Sequence, residues 1–125
     1  MGYTTGNFAI FMNDVRKDYD EAERLYRKAL ELDPKQASKF GNFAIFMEKV
    51  RKDYNEAERL YRSALEVDPK HATNMAYFAD FLEKVRKNLP EANRLYLLAL
   101  KLEPNHEWTK KEYARFLKEH PEFAK

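Results

Sequence analysis

The chain offers few side chains that could carry out chemistry. It contains no cysteine, which excludes disulfides and thiolate metal ligands. Its histidines are His71, His106 and His120. His71 and His106 occupy equivalent turns, where a solvated turn residue is a simpler interpretation than a metal ligand, and His120 has no evident partner. We therefore expect no metal site, no cofactor and no enzymatic activity.

Charged residues of both signs alternate between residues 20 and 31. The pairs Asp20 with Arg24 and Glu23 with Arg27 have the i, i+4 order that supports a helix. A solvated helix face is therefore favoured over a pair of catalytic carboxylates. A basic turn, Val-Arg-Lys, occurs three times. It allows a row of phosphate-binding groups, but basic residues also complement the negative end of a helix.

The composition limits the classes of protein to consider. The 125 residues are 44% apolar, 14% aromatic and 35% charged, with a net charge of +2. This is too apolar for disorder, and the interspersed charges give no basic stripe for nucleic acid. Neither a signal peptide nor a run of apolar residues long enough for a membrane span is evident. We expect a cytoplasmic protein that binds neither nucleic acid nor membrane.

The elements that hold these residues belong to a repeat of 35 residues. Asn7-Phe-Ala-Ile-Phe-Met12 recurs identically as Asn42 to Met47, and Glu21-Ala-Glu-Arg-Leu-Tyr26 recurs as Glu56 to Tyr61. Residues 3–37 and 38–72 agree at 26 of 35 positions. A third, looser copy follows, and then the start of a fourth. The predicted organisation is one domain, 1–125, with repeats at 3–37, 38–72 and 73–107 and a capping helix at 108–120.

Each repeat contains two predicted helices. In the second repeat, apolar residues with helical spacing predict a first helix from Ser38 to Val50. The second helix begins after Asp53, and Glu56 three residues further on completes the pattern of a capping box. Proline after the second helix ends it. The aromatic and methionine residues that follow this helical spacing are interpreted as core residues.

The motif Phe40-x₂-Phe43-Ala44-x₂-Met47, Ala57-x₃-Tyr61 and Pro69 resembles the tetratricopeptide repeat. The resemblance covers essentially the whole chain. It implies an all-α, right-handed superhelical solenoid of antiparallel helical hairpins, here with seven helices. The period is 35 residues instead of 34, and the added residue is expected between the two helices of a repeat.

Two related families remain as alternatives. Pentatricopeptide repeats share the period of 35 residues and bind RNA. The Ala-Leu-x-x-Asp/Glu-Pro ending of the second helix is more typical of tetratricopeptide repeats. Half-a-tetratricopeptide repeats share the aromatic-Ala-x-Phe pattern, and their function is also mainly protein binding.

The resemblance implies a concave groove along the first helices, where partner peptides bind. Matching the motif places thirteen residues on the exposed side of those helices. They are Gly6, Asn7, Ile10, Asn13, Gly41, Asn42, Ile45, Glu48, Lys49, Tyr77, Asp80, Glu83 and Lys84, and Lys111 and Arg115 of the last helix extend the set. Gly6, Gly41 and Ala76 stand where basic residues would grip a terminal carboxylate, so we predict no such clamp. The helical glycines suggest close approach by a helix or by a ligand.

The leading functional hypothesis is a scaffold that binds a protein or peptide. The near-identity of the first two repeats supports an alternative, a designed or repeat-amplified structural protein without a natural ligand. Self-association is a third possibility, so we expect a monomer or weak self-association.

Overall fold

The computed structural model describes residues 18–124. All regular structure in this range is helical, which confirms the predicted fold class. None of these helices has the length and apolar character needed to cross a bilayer. A seventh helix, predicted before residue 18, lies outside the described residues. The six α-helices are α1 Tyr19–Leu32, α2 Ala37–Phe46, α3 Tyr54–Val67, α4 Ala72–Phe81, α5 Leu89–Leu102 and α6 Glu107–Glu119.

The chain divides into two compact units, Met1–Pro69 and Lys70–Lys125. In the first unit, α2 and α3 fold back on each other as a hairpin, and α1 packs against α2. In the second unit, α4 and α5 form the equivalent hairpin, and α6 packs against both of them. The predicted helical hairpins are therefore present in each unit. The boundaries proposed for the repeats stay a prediction.

Aromatic side chains form the core of each unit. In the first unit the ring of Tyr26 stacks on Phe43, with centroids 5.4 Å apart. In the second, Phe116 lies 5.5 Å from Tyr96 and 5.9 Å from Tyr113. The helices approach closely at fully buried alanines, which have no side chain beyond the β-carbon. These alanines are Ala22, Ala44, Ala57, Ala64, Ala76, Ala79 and Ala92.

The second helix of each hairpin begins at the cap predicted from the sequence. The Asp53 side chain accepts a hydrogen bond from the backbone N–H of Glu56, at 3.3 Å. Asp18 and Asn88 do the same in α1 and α5. In a capping box the glutamate side chain also accepts a hydrogen bond from the backbone N–H of the capping residue. Here the N–H of Asp53 donates instead to the Met47 carbonyl, at 2.9 Å. The Glu56 carboxylate binds Arg59 instead.

The first helix of each described hairpin ends in a π-helical turn, which can accommodate the added residue of the 35-residue period. Residues Met47–Arg51 and Leu82–Arg86 form π-helical turns that continue α2 and α4. A π-turn closes its hydrogen bond one residue later than an α-turn and so accommodates one extra residue. Each turn ends at a lysine in the left-handed region, Lys52 with φ 56° and Lys87 with φ 59°. The added residue was expected around Val15 to Asp18, equivalent to Val50 to Asp53, and its exact position stays a prediction.

Candidate functional site

The structure places the predicted groove residues of the first unit in two different environments. Asn42 and Lys49 are exposed and Ile45 is half-buried. Gly41 is buried, and the burial favours close helix packing as the reason for this glycine. Glu48 is only 4% exposed. Four further predicted residues, Gly6, Asn7, Ile10 and Asn13, lie outside the described residues.

The predicted groove residues of the second unit likewise include both accessible and buried side chains. Lys84 is exposed and Tyr77 is half-buried, whereas Asp80 and Glu83 are buried. The expectation that Gly41, Glu48, Asp80 and Glu83 are exposed was wrong. Both glutamates belong to the π-helical turns, where partners from within the same unit satisfy their carboxylates.

A tyrosine from the second helix of each hairpin binds the buried glutamate of the first. The Tyr61 hydroxyl donates to Glu48 at 2.7 Å, and the Tyr96 hydroxyl donates to Glu83 at 3.0 Å. Burial, together with the nearby charges of Asp80 and Glu83, raises the pKa of Tyr96, so the hydroxyl stays a donor. The same pair therefore joins the two helices of both hairpins.

Arg115 completes the environment of Glu83. Its guanidinium donates two hydrogen bonds to the carboxylate, at 2.9 and 2.7 Å. Burial alone would raise the pKa of Glu83, but the hydrogen bonds from Arg115 and Tyr96 outweigh it and lower the pKa. The pKa of Arg115 is raised, first by its bond to Glu83. Glu83 is thus an ionised, buried carboxylate with its own counter-ion.

Around this ion pair, α4 and α6 present a mixed surface of charged and aromatic side chains. The Lys84 ammonium lies 2.8 Å from Asp80 and 3.5 Å from Glu112. Towards the start of the two helices, the rings of Tyr77 and Trp108 meet edge to face, with centroids 5.2 Å apart. Trp108 is 37% exposed. We call this surface the α4–α6 face, and it comprises Tyr77, Asp80, Lys84, Trp108, Glu112 and Arg115.

Sequence reasoning did not select Trp108, although it is the sole tryptophan of the chain. It stands one period after Thr73, on the stripe that carries the predicted groove residues. The sequence signal that could have identified Trp108 is the change from threonine, in the preceding repeat, to a large aromatic residue.

The histidines are structural. His71 and His106 cap the starts of α4 and α6, where each Nδ1 accepts a backbone N–H three residues further on. The sequence predicted only that His71 and His106 are turn residues, and the structure shows that both act as helix N-caps. His120, for which no partner was expected, contacts Phe116 with centroids 4.9 Å apart and lies 3.9 Å from Glu83.

Glu83, Glu119 and His120 bring three possible metal-ligating atoms within 4.8 Å of one another. Arg115 lies among them, since it binds Glu83 and approaches Glu119 at 3.2 Å. A guanidinium in this position supplies the positive charge and opposes a second cation. The cluster is therefore an ion-pair network, and the expectation of no metal site stays a prediction.

The first unit carries a ladder of alternating charges between α1, the π-turn and α3. The predicted pair Glu23–Arg27 is present at 2.9 Å. The predicted pairing of Asp20 with Arg24 was wrong, because Arg51 of the π-turn binds Asp20 and Arg24 binds Glu21. Glu23, Arg27 and Arg51 border an open cleft of about 620 Å³. Arg51 is thus engaged in ion pairs, which argues against a row of free phosphate-binding arginines.

Comparisons with known proteins agree with this architecture. A family model described as tetratricopeptide repeat matches residues 16–36 and 51–71. Curated protein sequences give no match. Among solved structures, the first tetratricopeptide-repeat domain of Spaghetti (RPAP3), solved with an HSP90 peptide, is similar at 21% identity and a TM-score of 0.78. That similarity covers 94% of this chain and 93% of the other.

A second similar structure is the Yersinia enterocolitica type III secretion chaperone SycD, solved with a peptide of the translocator YopD. It shares 19% identity at a TM-score of 0.74, over 96% of this chain and 89% of that one. At these identities the likeness shows the fold. The family-model matches identify tetratricopeptide repeats at residues 16–36 and 51–71 of this chain.

Proposed function

We propose that this protein is a non-enzymatic scaffold that binds an extended peptide segment of a partner protein, and that the α4–α6 face is a principal contact surface. The observation that carries the proposal is the exposed Trp108 held edge to face against Tyr77, beside the charged network of Lys84 and Arg115. Tryptophan, tyrosine and arginine are the residues most enriched among energetic hot spots of interfaces.

Two further observations support a peptide ligand. Both similar structures described above contain a bound peptide, on the same fold. In the first unit, Asn42, Ile45 and Lys49 leave polar and apolar groups accessible on the corresponding first helix. These three residues are proposed as additional contacts.

The proposal is tested by selecting peptides from a displayed library against the purified protein. Because Trp108 is the sole tryptophan, its fluorescence reports on binding at this face in the parent protein, and calorimetry measures the affinities of the variants. We expect Trp108→Ala to weaken a selected peptide by at least about tenfold, in the range of a hot-spot residue. Tyr77→Ala should weaken it less, since Trp108 remains.

Leu97→Ala is the matched control, because Leu97 is an exposed large apolar residue on α5 in the same unit. It should leave the affinity unchanged. Equal affinity of the Trp108→Ala variant and the parent protein would contradict binding at the α4–α6 face. Retention of no peptide from a large library would contradict the scaffold function itself.

That last outcome would favour a repeat-amplified or designed structural protein without a natural ligand. The specific observation behind this second candidate is the identity of 26 of 35 positions between the first two repeats. Discovery of a natural gene whose flanking repeats are less alike would count against design.

A further inference from the structure

Trp108 lies in the first turn of α6, next to the residue that caps this helix. The helix begins at Glu107, and His106 is its N-cap. Thr109, the third residue of the same turn, is only 1% exposed. The contact of Trp108 with Tyr77 therefore depends on a first turn whose start is held by a single imidazole ring.

The hydrogen bonds of His106 define its protonation state. Its Nδ1 accepts the backbone N–H of Thr109 at 3.3 Å and lies 2.8 Å from the hydroxyl of the same residue. Because a backbone N–H can only donate, Nδ1 must carry its lone pair, and the proton of the neutral ring is on Nε2. Nε2 lies 3.4 Å from the Thr73 hydroxyl of α4, which can accept that proton. The neutral ring thus joins the first turns of α4 and α6.

Proton uptake by His106 is incompatible with this cap. An imidazolium has a proton on both nitrogens and no acceptor, so the backbone N–H of Thr109 loses its partner. The positive end of the α6 dipole also opposes a cation at this position. Histidine side chains ordinarily titrate near pH 6.5. The contribution of the cap to stability is therefore complete above this range and is lost as the pH falls through it.

The groups that face His106 provide little compensation for a positive charge. From α4 it faces the Thr73 hydroxyl, and in the turn after α5 its backbone N–H donates to the Glu103 carbonyl at 3.2 Å. On α6 itself, Glu107 and Lys110 lie 3.8 Å from each other. His106 forms no ion pair with any residue in the described range 18–124. Within this range no paired carboxylate stabilises the charged form of the ring.

We propose that His106 makes the α4–α6 face sensitive to pH, because proton uptake between about pH 7.5 and 5.5 releases the first turn of α6 and its contact with Tyr77. This inference rests on the proposed function and adds its regulation. A peptide that needs Trp108 held against Tyr77 binds the form with neutral His106 more tightly. The affinity for such a peptide therefore falls as the pH is lowered.

The test isolates His106 by replacing the other two histidines. His71 caps α4 through the same kind of backbone hydrogen bond, at 3.2 Å, and protonated His120 is attracted to Glu83, 3.9 Å away. His71→Asn retains a side-chain acceptor, since Asn88 already caps α5 in this way. His120→Gln retains a polar nitrogen without a charge. The resulting protein has His106 as its only histidine.

The single-histidine protein is compared with the same protein carrying His106→Asn in addition. For the former we expect the midpoint of thermal unfolding to fall by about 4 °C from pH 7.5 to pH 5.5, the effect of one lost cap. Acrylamide quenching of Trp108 fluorescence should rise over the same range. A library-selected peptide without histidine should bind about threefold more weakly at pH 5.5. With His106→Asn, all three quantities should be independent of pH.

An equal response to pH with and without His106 would overturn the proposal. Nuclear magnetic resonance of the parent protein tests it without any substitution, because His106 should be the Nε2–H tautomer at pH 7.5. An Nδ1–H tautomer would overturn the proposal, since such a ring cannot accept the Thr109 N–H.

Failure of this inference and failure of the proposed function give different results. Equal peptide affinity at both pH values, beside a response of Trp108 quenching to pH, would overturn the regulation and leave the scaffold function intact. Retention of no peptide at either pH would contradict the proposed function. The quenching of Trp108 is measured without a ligand, so it would still support or overturn the release of the first turn.

Discussion

Glu83 shows how a residue on a predicted binding stripe becomes part of the internal structure. A buried carboxylate is costly unless it is paired and hydrogen-bonded. Here Tyr96 and Arg115 supply three hydrogen bonds within one unit. Arg115 is therefore engaged by its own chain, and a ligand carboxylate would have to compete with Glu83 for it. This arrangement is consistent with the predicted lack of a terminal-carboxylate clamp.

The first prediction concerns this pair. Arg115→Met removes both charged hydrogen bonds from Glu83, and we expect the free energy of unfolding at pH 7 to fall by about 2 kcal/mol. This loss of unfolding free energy is smaller than that expected for a fully buried ion pair, because Arg115 is 29% exposed. Urea denaturation measures the change. Arg94→Met, which removes a surface partner of Glu91, is the control and should change stability little.

We also predict that the loss of stability in Arg115→Met depends on pH. The pKa of Glu83 in the folded protein is lower than its ordinary value of about 4.3. Its contribution to stability is therefore complete above about pH 4.3 and is lost as the pH falls through the lowered folded value. The stability difference between the parent protein and Arg115→Met should shrink from pH 7 to pH 3. An equal difference at both pH values would contradict the assigned ion pair.

At the scale of elements, the starts of the first helices differ between equivalent positions. His71 and His106 cap α4 and α6 with a side-chain nitrogen. At the corresponding position of α2, the side chain of Gln36 forms no cap hydrogen bond within the described residues. Glutamine is a poor N-cap because its oxygen is one methylene too far from the backbone, whereas serine has the required reach.

This difference gives the second prediction. Gln36→Ser should raise the free energy of unfolding by about 1 kcal/mol, because it satisfies a backbone N–H of α2 that lacks a side-chain acceptor. His71→Ala should lower it by about 1 kcal/mol, and His71→Ser should change it little. Thermal and urea unfolding measure these changes. A neutral Gln36→Ser beside a costly His71→Ala would show that α2 does not depend on its first turn.

The π-turns are the second feature at the scale of elements. They place Glu48 and Glu83 against Tyr61 and Tyr96 and leave a strained lysine at the end of each first helix. A 34-residue repeat would end this helix without the extra residue. The π-turns of the longer period therefore carry the glutamates of both buried glutamate–tyrosine pairs.

At the scale of the whole molecule, the surface of α5 differs from those of α1 and α3. Leu97 stands where the earlier repeats have Arg27 and Arg62, and it is 48% exposed. Leu102 on α5 is also exposed, as is its counterpart Leu32 on α1, so the difference is at Leu97. Leu97 forms a small exposed apolar patch, which favours weak association at high concentration.

The third prediction follows from this patch. We expect a monomer at micromolar concentration and weak association at millimolar concentration, which Leu97→Arg should reduce. Arginine is already accepted at the equivalent positions, so stability should change by less than about 0.5 kcal/mol. Light scattering across a concentration series measures the mass. Unchanged association in Leu97→Arg would assign any self-contact to another surface.

The amino-acid sequence by itself determined the tetratricopeptide-like repeats, the helical class, the core aromatic residues and the caps at Asp18, Asp53 and Asn88. These features depend on local spacing, which a helix converts directly into a face or an end, and the period of 35 residues repeats them. The α4–α6 face was predicted in part, through Tyr77, Asp80, Lys84 and Arg115.

Only the tertiary structure decided which of those side chains are accessible. Arg115 binds Glu83 from 32 residues away, and Trp108 meets Tyr77 from the next first helix. Both contacts depend on how two helices are aligned, and no pattern within one helix encodes that alignment. The burial of Glu48 and Glu83 depends on the same alignment, because each meets a tyrosine of the following helix.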